Sequence, residues 1–137
     1  MQNLNPTTSE VWGAPAGTVV GTSRGVYSHV GILTQAIPGF ERTVISLNPG
    51  KPGLQVLEQT VSAFCAGAPI SLEKMDGPLQ WTSVLLRARS GQHPPYSWLT
   101  FNCEHFVRFA HGVLPQSPQV KVLAALGALL ATVALAG

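Results

Sequence analysis

Charged residues are scarce in this sequence: Asp, Glu, Lys and Arg occupy 10% of its 137 positions, against roughly 25% in an ordinary globular domain. This composition argues against a disordered, charged tail. The net charge is only +2, and the closest basic residues are Arg87 and Arg89. Because no basic stripe is present to follow a phosphate backbone, we expect no specific nucleic-acid partner.

Cysteine is almost as scarce, with Cys65 and Cys103 as the two examples. Small secreted domains usually carry more cysteines in paired spacings. No charged and then apolar stretch typical of a signal peptide follows Met1. We therefore expect a reducing, cytoplasmic setting with free thiols. The histidines near the end of the chain lack a cysteine pair at zinc spacing, so neither a metal nor another cofactor is predicted.

Turn residues and short apolar runs predict an α+β fold, a small antiparallel sheet packed against helices. The best strand is "GVYSHVGILTQ" at 25–35, and "RTVISLN" at 42–48 pairs back on it as a hairpin. A short strand is expected at about 18–21. "LQVLEQTVSAF" and "APISLEKM" each allow a strand or another short element, with a strand favoured through Leu57. "LQWTSVLLRARSG" reads as a helix.

The stretch 102–112 predicts the clearest helix. Asn102 is a good N-terminal cap, and apolar residues recur at the spacing of one helix face. Gly112 suits the C-terminal cap, and Pro115 prevents the helix from continuing.

Cys103 stands at the first position of this helix. A helix N-terminus lowers the pKa of a thiol, and its unpaired N–H groups, including the backbone N–H of Cys103, can hold an oxyanion. These features favour a nucleophile. The alternative is a small core residue that faces inward with Phe106 and Ala110, as free cysteines often do.

A nucleophilic thiol needs a base. His105 lies roughly 200° around the helix from Cys103, and His111 lies about 12 Å along its axis, so neither reaches the thiol. His93, in a His-Pro-Pro loop, is expected to be solvated. His29, on the best predicted strand, stays a candidate by elimination, the alternative being a structural histidine on a half-buried strand.

Two segments together resemble a known family. "YSHVGILT" is similar to the H-box, and "NCEHFVRFAHG" to the NC motif, of the lecithin:retinol acyltransferase-like family. This family is a branch of the circularly permuted NlpC/P60, papain-like superfamily. "PAGTVV" resembles its opening strand, and the likeness covers about residues 14–136. It implies His29 as the base and Cys103 as the nucleophile.

The chain departs from the family pattern at one position. The third polar residue of the family, usually His, follows the H-box on the next strand, where this chain has "VISLNP" and therefore Ser46. A serine orients an imidazole less well, and loss of an orienting partner can cost on the order of 10⁴ in rate. Glu41 is a conceivable substitute close to a turn.

Two functions follow from the resemblance. Cellular members are phospholipases A and acyltransferases that pass an acyl group through a thioester. Non-structural proteins of some picornaviruses, including kobuviruses and parechoviruses, carry the same motifs and serve genome replication through host contacts. Because Ser46 replaces the orienting residue, we favour the viral type, with weak or lost catalysis. The expected partners are a host protein or a membrane surface, and phospholipid if the site is active.

Three regions are predicted along the chain: a flexible lead-in at 1–13, the H-box/NC domain at 14–115, and an apolar C-terminal helix at 116–137. Residues 122–136 carry no charge. As a helix they would span about 22 Å, which is shorter than the roughly 30 Å of bilayer hydrocarbon. We therefore expect this helix to pack on the domain or in a homodimer in the chain as given, and to associate with a membrane in the full biological context.

Overall fold

The computed structural model describes residues 3–51 and 53–113. The predicted C-terminal helix at 116–137 lies outside these residues. None of the helices in the described part is long and apolar enough to cross a bilayer. In chain order the elements are α1 (Ser9–Gly13), β1 (Val19–Ser23), β2 (Ser28–Leu33), β3 (Thr43–Leu47), β4 (Val56–Thr60), α2 (Val61–Cys65), β5 (Ile70–Glu73), α3 (Trp81–Arg89) and α4 (Cys103–His111).

The strands form one five-stranded antiparallel sheet in the order β4-β3-β2-β1-β5. The α+β class and the hairpin between the second and third strands are therefore confirmed. In the ambiguous segment after residue 53, the strand runs on to Thr60 and the short helix α2 follows it.

Helices cover both faces of the sheet, and strand β2 contributes to both cores because successive side chains point to opposite faces. Ile32 packs with residues of α3 and α4 in one core. Leu33 packs with residues of α1 and α2 in the other. We call these the α4 face and the α2 face of the sheet. They decide which of the predicted site residues can meet.

Gly31 allows β2 and β3 to approach closely. A Cβ atom there would lie 2.5 Å from Cγ1 of Val44 and 2.9 Å from the carbonyl oxygen of Ile45. Both distances are below van der Waals contact, so a side chain would force the strands apart. The described ladder between β2 and β3 is short and pairs Ile32 with Ile45 and Leu33 with Val44.

The segment 1–13, predicted as a flexible lead-in, makes contacts with the sheet from Leu4 onward. Leu4 exchanges two backbone hydrogen bonds with Ile70, and Val11 of α1 is buried. Arg42, also buried, donates hydrogen bonds to the carbonyl oxygens of Val11, Trp12 and Ala14, and to that of Thr34. One guanidinium thus ties α1 to the sheet.

Candidate functional site

Helix α4 has the cap that its sequence predicts. The Asn102 side chain accepts hydrogen bonds from the backbone N–H groups of Glu104 and His105, at 3.0 and 3.3 Å. His105 Nδ1 accepts the N–H of Asn102 at 3.0 Å, which completes a capping box. Gly112 closes the helix in the left-handed conformation, with φ of 74°. This geometry fixes the first turn, where Cys103 lies.

Cys103 is buried at the N-terminus of α4, with 8% of its surface exposed. Burial raises the pKa of its thiol above the ordinary value. Hydrogen bonds from the backbone of Val30, of Glu104 and of Cys103 itself act in the opposite direction, but they do not outweigh burial. The helix N-terminus therefore supplies donors to this sulfur without making it an acidic thiol.

His29 is buried on the α2 face of the sheet. It lies opposite Thr22 in the β1–β2 ladder, and its ring stacks on Phe64 of α2 with centroids 5.2 Å apart. Burial, and then the positive charge of Arg24, lower its pKa from 6.5 to about 4. The Arg24 guanidinium lies 5.8 Å from the Phe64 ring and donates to the carbonyl oxygens of Phe64 and Cys65.

The structure does not bring Cys103 and His29 together. Helix α4 packs on the face that receives Val30 and Ile32 of β2. His29 and Leu33 point from the same strand to the other face, where α2 lies. The thiol contacts the backbone of the residue after His29, but the imidazole is directed away from it. This arrangement leaves the predicted nucleophile without the predicted base.

Ser46 shares the face of His29, as a third site residue would. It is fully buried, and its hydroxyl accepts a hydrogen bond from Asn48 Nδ2 at 3.0 Å. Glu41, the conceivable substitute, instead accepts hydrogen bonds from the backbone N–H and hydroxyl of Ser62 at the start of α2. Within the described part of the chain, both side chains thus have structural partners other than an imidazole.

The other histidines have structural contacts. His105 completes the cap, and the Nε2 of buried His111 lies 2.7 Å from the carbonyl oxygen of Gly17. His93 is half-buried and stacks on Phe101, with its ring edge-on to Phe106, which corrects the prediction of a solvated side chain.

Apolar side chains are exposed in two loops beside Cys103: Val26 and Tyr27 in the β1–β2 turn, and Trp98 and Leu99 in the loop before α4. Tyr96, half-buried, lies near both Cys103 and Tyr27: burial, and then these two groups, raise its pKa. Sequence reasoning missed this patch. The "YSWL" run, aromatic and next to the cysteine helix, was its available signal.

Comparison of the chain with protein-family models, with curated proteins and with solved structures gave no significant match in any of the three searches. Among residues 3–51 and 53–113, no group of three or more His, Cys, Asp or Glu side chains is placed to hold a metal ion. The site is therefore interpreted from its own geometry.

Proposed function

We propose that this chain is an H-box/NC protein of the viral, non-structural type, with weak or lost acyl-transfer chemistry. In this proposal it supports genome replication through contacts with a host protein or a membrane surface in the cytoplasm. It also has the permuted papain-like arrangement, in which the strand that carries the histidine precedes the helix that carries the cysteine. Both the family and the role rest on the motifs around His29 and Cys103.

One observation supports the loss of catalysis: the imidazole of His29 points to the α2 face of the sheet, whereas the thiol of Cys103 lies on the α4 face, against the backbone of Val30. A general base must come within hydrogen-bond reach of the proton that it removes, directly or through one water. A thiol with a raised pKa, beside no imidazole in the described structure, is mostly protonated at neutral pH. The site therefore lacks an activated nucleophile.

The exposed patch of Val26, Tyr27, Trp98 and Leu99 supports a contact function. Val26 is fully exposed, and the other three are about half exposed. Clusters of exposed apolar side chains are typical of protein or membrane contact sites. This cluster flanks the helix terminus that an active relative would use for chemistry, so a binding module could retain the surface after catalysis is lost.

The alternative is an active thiol phospholipase A or acyltransferase that works through a Cys103 thioester. The capped N-terminus of α4 favours it, since hydrogen bonds from the backbone of Val30 and Glu104 already reach the sulfur. This alternative requires the His29 ring to leave Phe64 and turn to the α4 face. The active alternative predicts that fatty acid is released from phospholipid, whereas the proposal predicts little or no release.

Incubation of the full chain with phosphatidylcholine vesicles, followed by mass spectrometry of released fatty acid, tests the proposal. We expect release no faster than with the Cys103→Ser variant, and no acyl adduct on Cys103. Release that disappears in both Cys103→Ser and His29→Gln, while both variants stay folded, would establish the active alternative.

Contact is tested separately by vesicle flotation and by pull-down from infected-cell lysate, with Trp98→Ser/Leu99→Ser as the variant of the exposed patch. We expect binding to vesicles or to one host protein, and we expect the double substitution to weaken it. Leu86→Ser, which removes another exposed apolar side chain on α3, is the matched control.

A further inference from the structure

A cavity of about 660 Å³ lies away from the Cys103 site, between the α1–β1 loop, the end of β5 and the start of α3. We call it the α3 groove. Its volume is in the range of ordinary ligand pockets. Most of its wall is apolar, with contributions from Ala16, Leu72, Met75, Leu79, Trp81 and Val84.

The described chain leaves the fold beside this groove. His111, the last residue of α4, lines the groove and bonds to Gly17 on its wall. A Cβ atom on Gly112 would lie 3.0 Å from the Leu79 side chain, and one on Gly77 would lie 3.4 Å from Val113. The described chain therefore ends at Val113 beside the groove, and no long connection is needed for the following segment to reach it.

The composition of residues 114–137 suits the groove. Pro115 and Pro118 stop α4 from continuing, so the chain can change direction there. Leu123, Leu126 and Leu130 then recur at the spacing of one helix face, among small residues that permit close approach. A segment with this stripe can bury three large side chains in an apolar wall.

The charges of the groove and of residues 114–137 are complementary. Glu10 and Glu73 line the groove, and the ion pairs found in the described part of the chain do not involve either of them. Lys121 is the one Lys or Arg at positions 114–137. Lys74 also lines the groove, but it pairs with Asp76, so Lys121 can meet the two glutamates.

We propose that residues 114–137 of the same chain occupy the α3 groove, with the Leu123, Leu126 and Leu130 stripe against its apolar wall and Lys121 near Glu10 and Glu73. This inference does not depend on the proposed function, since the groove shares no lining residue with the Cys103 site or with His29. It assigns the apolar segment to a particular intramolecular surface.

Site-specific photo-cross-linking of the full chain tests it. Trp81, in the groove wall, is replaced by p-benzoylphenylalanine, and Leu86, exposed on the same helix and outside the groove, carries the control replacement. Each protein is prepared as an equal mixture of ¹⁴N and ¹⁵N chains and irradiated with and without phosphatidylcholine vesicles. We expect the Trp81 variant alone to cross-link to a peptide from 114–137, within chains of one isotope.

Other outcomes contradict the proposal. Cross-links between ¹⁴N and ¹⁵N chains would assign the groove to the segment of a second copy. Transfer of the cross-link to lipid when vesicles are added would make the segment a membrane anchor, and equal labelling from position 86 would show unspecific contact. If the Trp81 variant lacks a cooperative unfolding transition, Met75 on another wall takes the replacement, and the same outcomes decide. Lys121→Glu should lower the yield roughly twofold, the effect of a weak exposed ion pair.

Discussion

The imidazole of His29 and the thiol of Cys103 lie on opposite faces of strand β2, although the thiol touches the backbone of Val30, the very next residue. His29 lies on a strand and Cys103 at the start of a helix, as predicted from the sequence, but their side chains do not form a dyad. This relationship makes several properties of the chain measurable without knowledge of a substrate.

Thiol alkylation reports on the missing base. We expect Cys103 to react with iodoacetamide faster than Cys65, since it is 8% exposed against 1% and has backbone donors at its sulfur. Because no imidazole contacts the thiol within residues 3–51 and 53–113, His29→Gln should leave the rate unchanged within about twofold. The rate should rise about tenfold per pH unit from pH 7 to 8, as the thiolate fraction does below the pKa. Peptide mass spectrometry gives both rates, and a plateau already at pH 7 would indicate an activated thiol instead.

Acid should destabilise the fold through His29. Its pKa is about 4 in the folded chain, against the ordinary value of 6.5 that applies to the unfolded chain. The unfolded chain therefore binds more protons between these two pH values. The contribution of His29 to the free energy of unfolding is therefore fully present above pH 6.5, and it is lost as the pH decreases toward 4. The loss between pH 7 and pH 5 amounts to about 2 kcal/mol. Urea unfolding at the two pH values measures it.

His29→Gln separates this effect from that of the other histidines. Burial lowers the pKa of His105 and of His111 as well, and they contribute in the same direction in both proteins. The variant should lose most of the 2 kcal/mol difference. An unchanged difference would place the titration elsewhere and would remove the case for a neutral, buried His29.

Replacement of Ser46 by histidine, the residue usual in the family that the two motifs resemble, should not confer lipid-release activity. Ser46 is fully buried, so a larger ring overpacks the space around it. We expect Ser46→His to cost about 1–3 kcal/mol and to leave lipid release at background. Ser46→Ala, which removes only the bond from Asn48, is the control. A folded Ser46→His variant with new esterase activity would contradict this interpretation.

Arg42 should be a major stabilising residue. Arg42→Met removes the donors to the carbonyl oxygens of Val11, Trp12 and Ala14, and we expect a loss of about 3 kcal/mol or more in the free energy of unfolding. Arg42→Lys should recover only part of it, because an ammonium lacks the planar fork. Arg89→Met, which breaks an exposed ion pair with Glu58, should cost at most about 1 kcal/mol. Equal losses in the Arg42 and Arg89 variants would contradict this role.

Helix α4 shows what could be predicted from the sequence. Its limits depend on local signals, the Asn102 cap and the Gly112 terminus, and both operate as expected. The β2–β3 hairpin was likewise predictable, because strong strand formers flank a Pro-Gly turn. Such features need only neighbours in the chain.

The direction of His29 was not predictable in the same way. A strand face is normally indicated by alternation of polar and apolar residues, but Gly31, Ile32 and Leu33 are all buried, on both faces of the sheet. With no polar face, the pattern does not say to which side His29 points. The answer depends on Phe64, which is 35 positions away in the chain and stacks on the ring.

The N-terminal segment was missed for a related reason. Its five-residue helix α1 has little intrinsic stability, and it depends on long-range contacts with Arg42 and between Leu4 and Ile70. The usable signal was Val11, an apolar residue in a polar stretch. The second signal was Arg42, a charged residue at the start of the predicted strand 42–48.

The capping box of α4 has a consequence for the interpretation of kinetics. His105 Nδ1 accepts the Asn102 N–H only while the ring is unprotonated at that nitrogen. Acid therefore removes one cap from the turn that presents Cys103, at a pH below 6.5 because burial lowers the pKa of His105. An acid limb in the reactivity of Cys103 would thus report the unwinding of a helix end. It would look like the signature of a catalytic imidazole, yet it would persist in His29→Gln and vanish in His105→Gln.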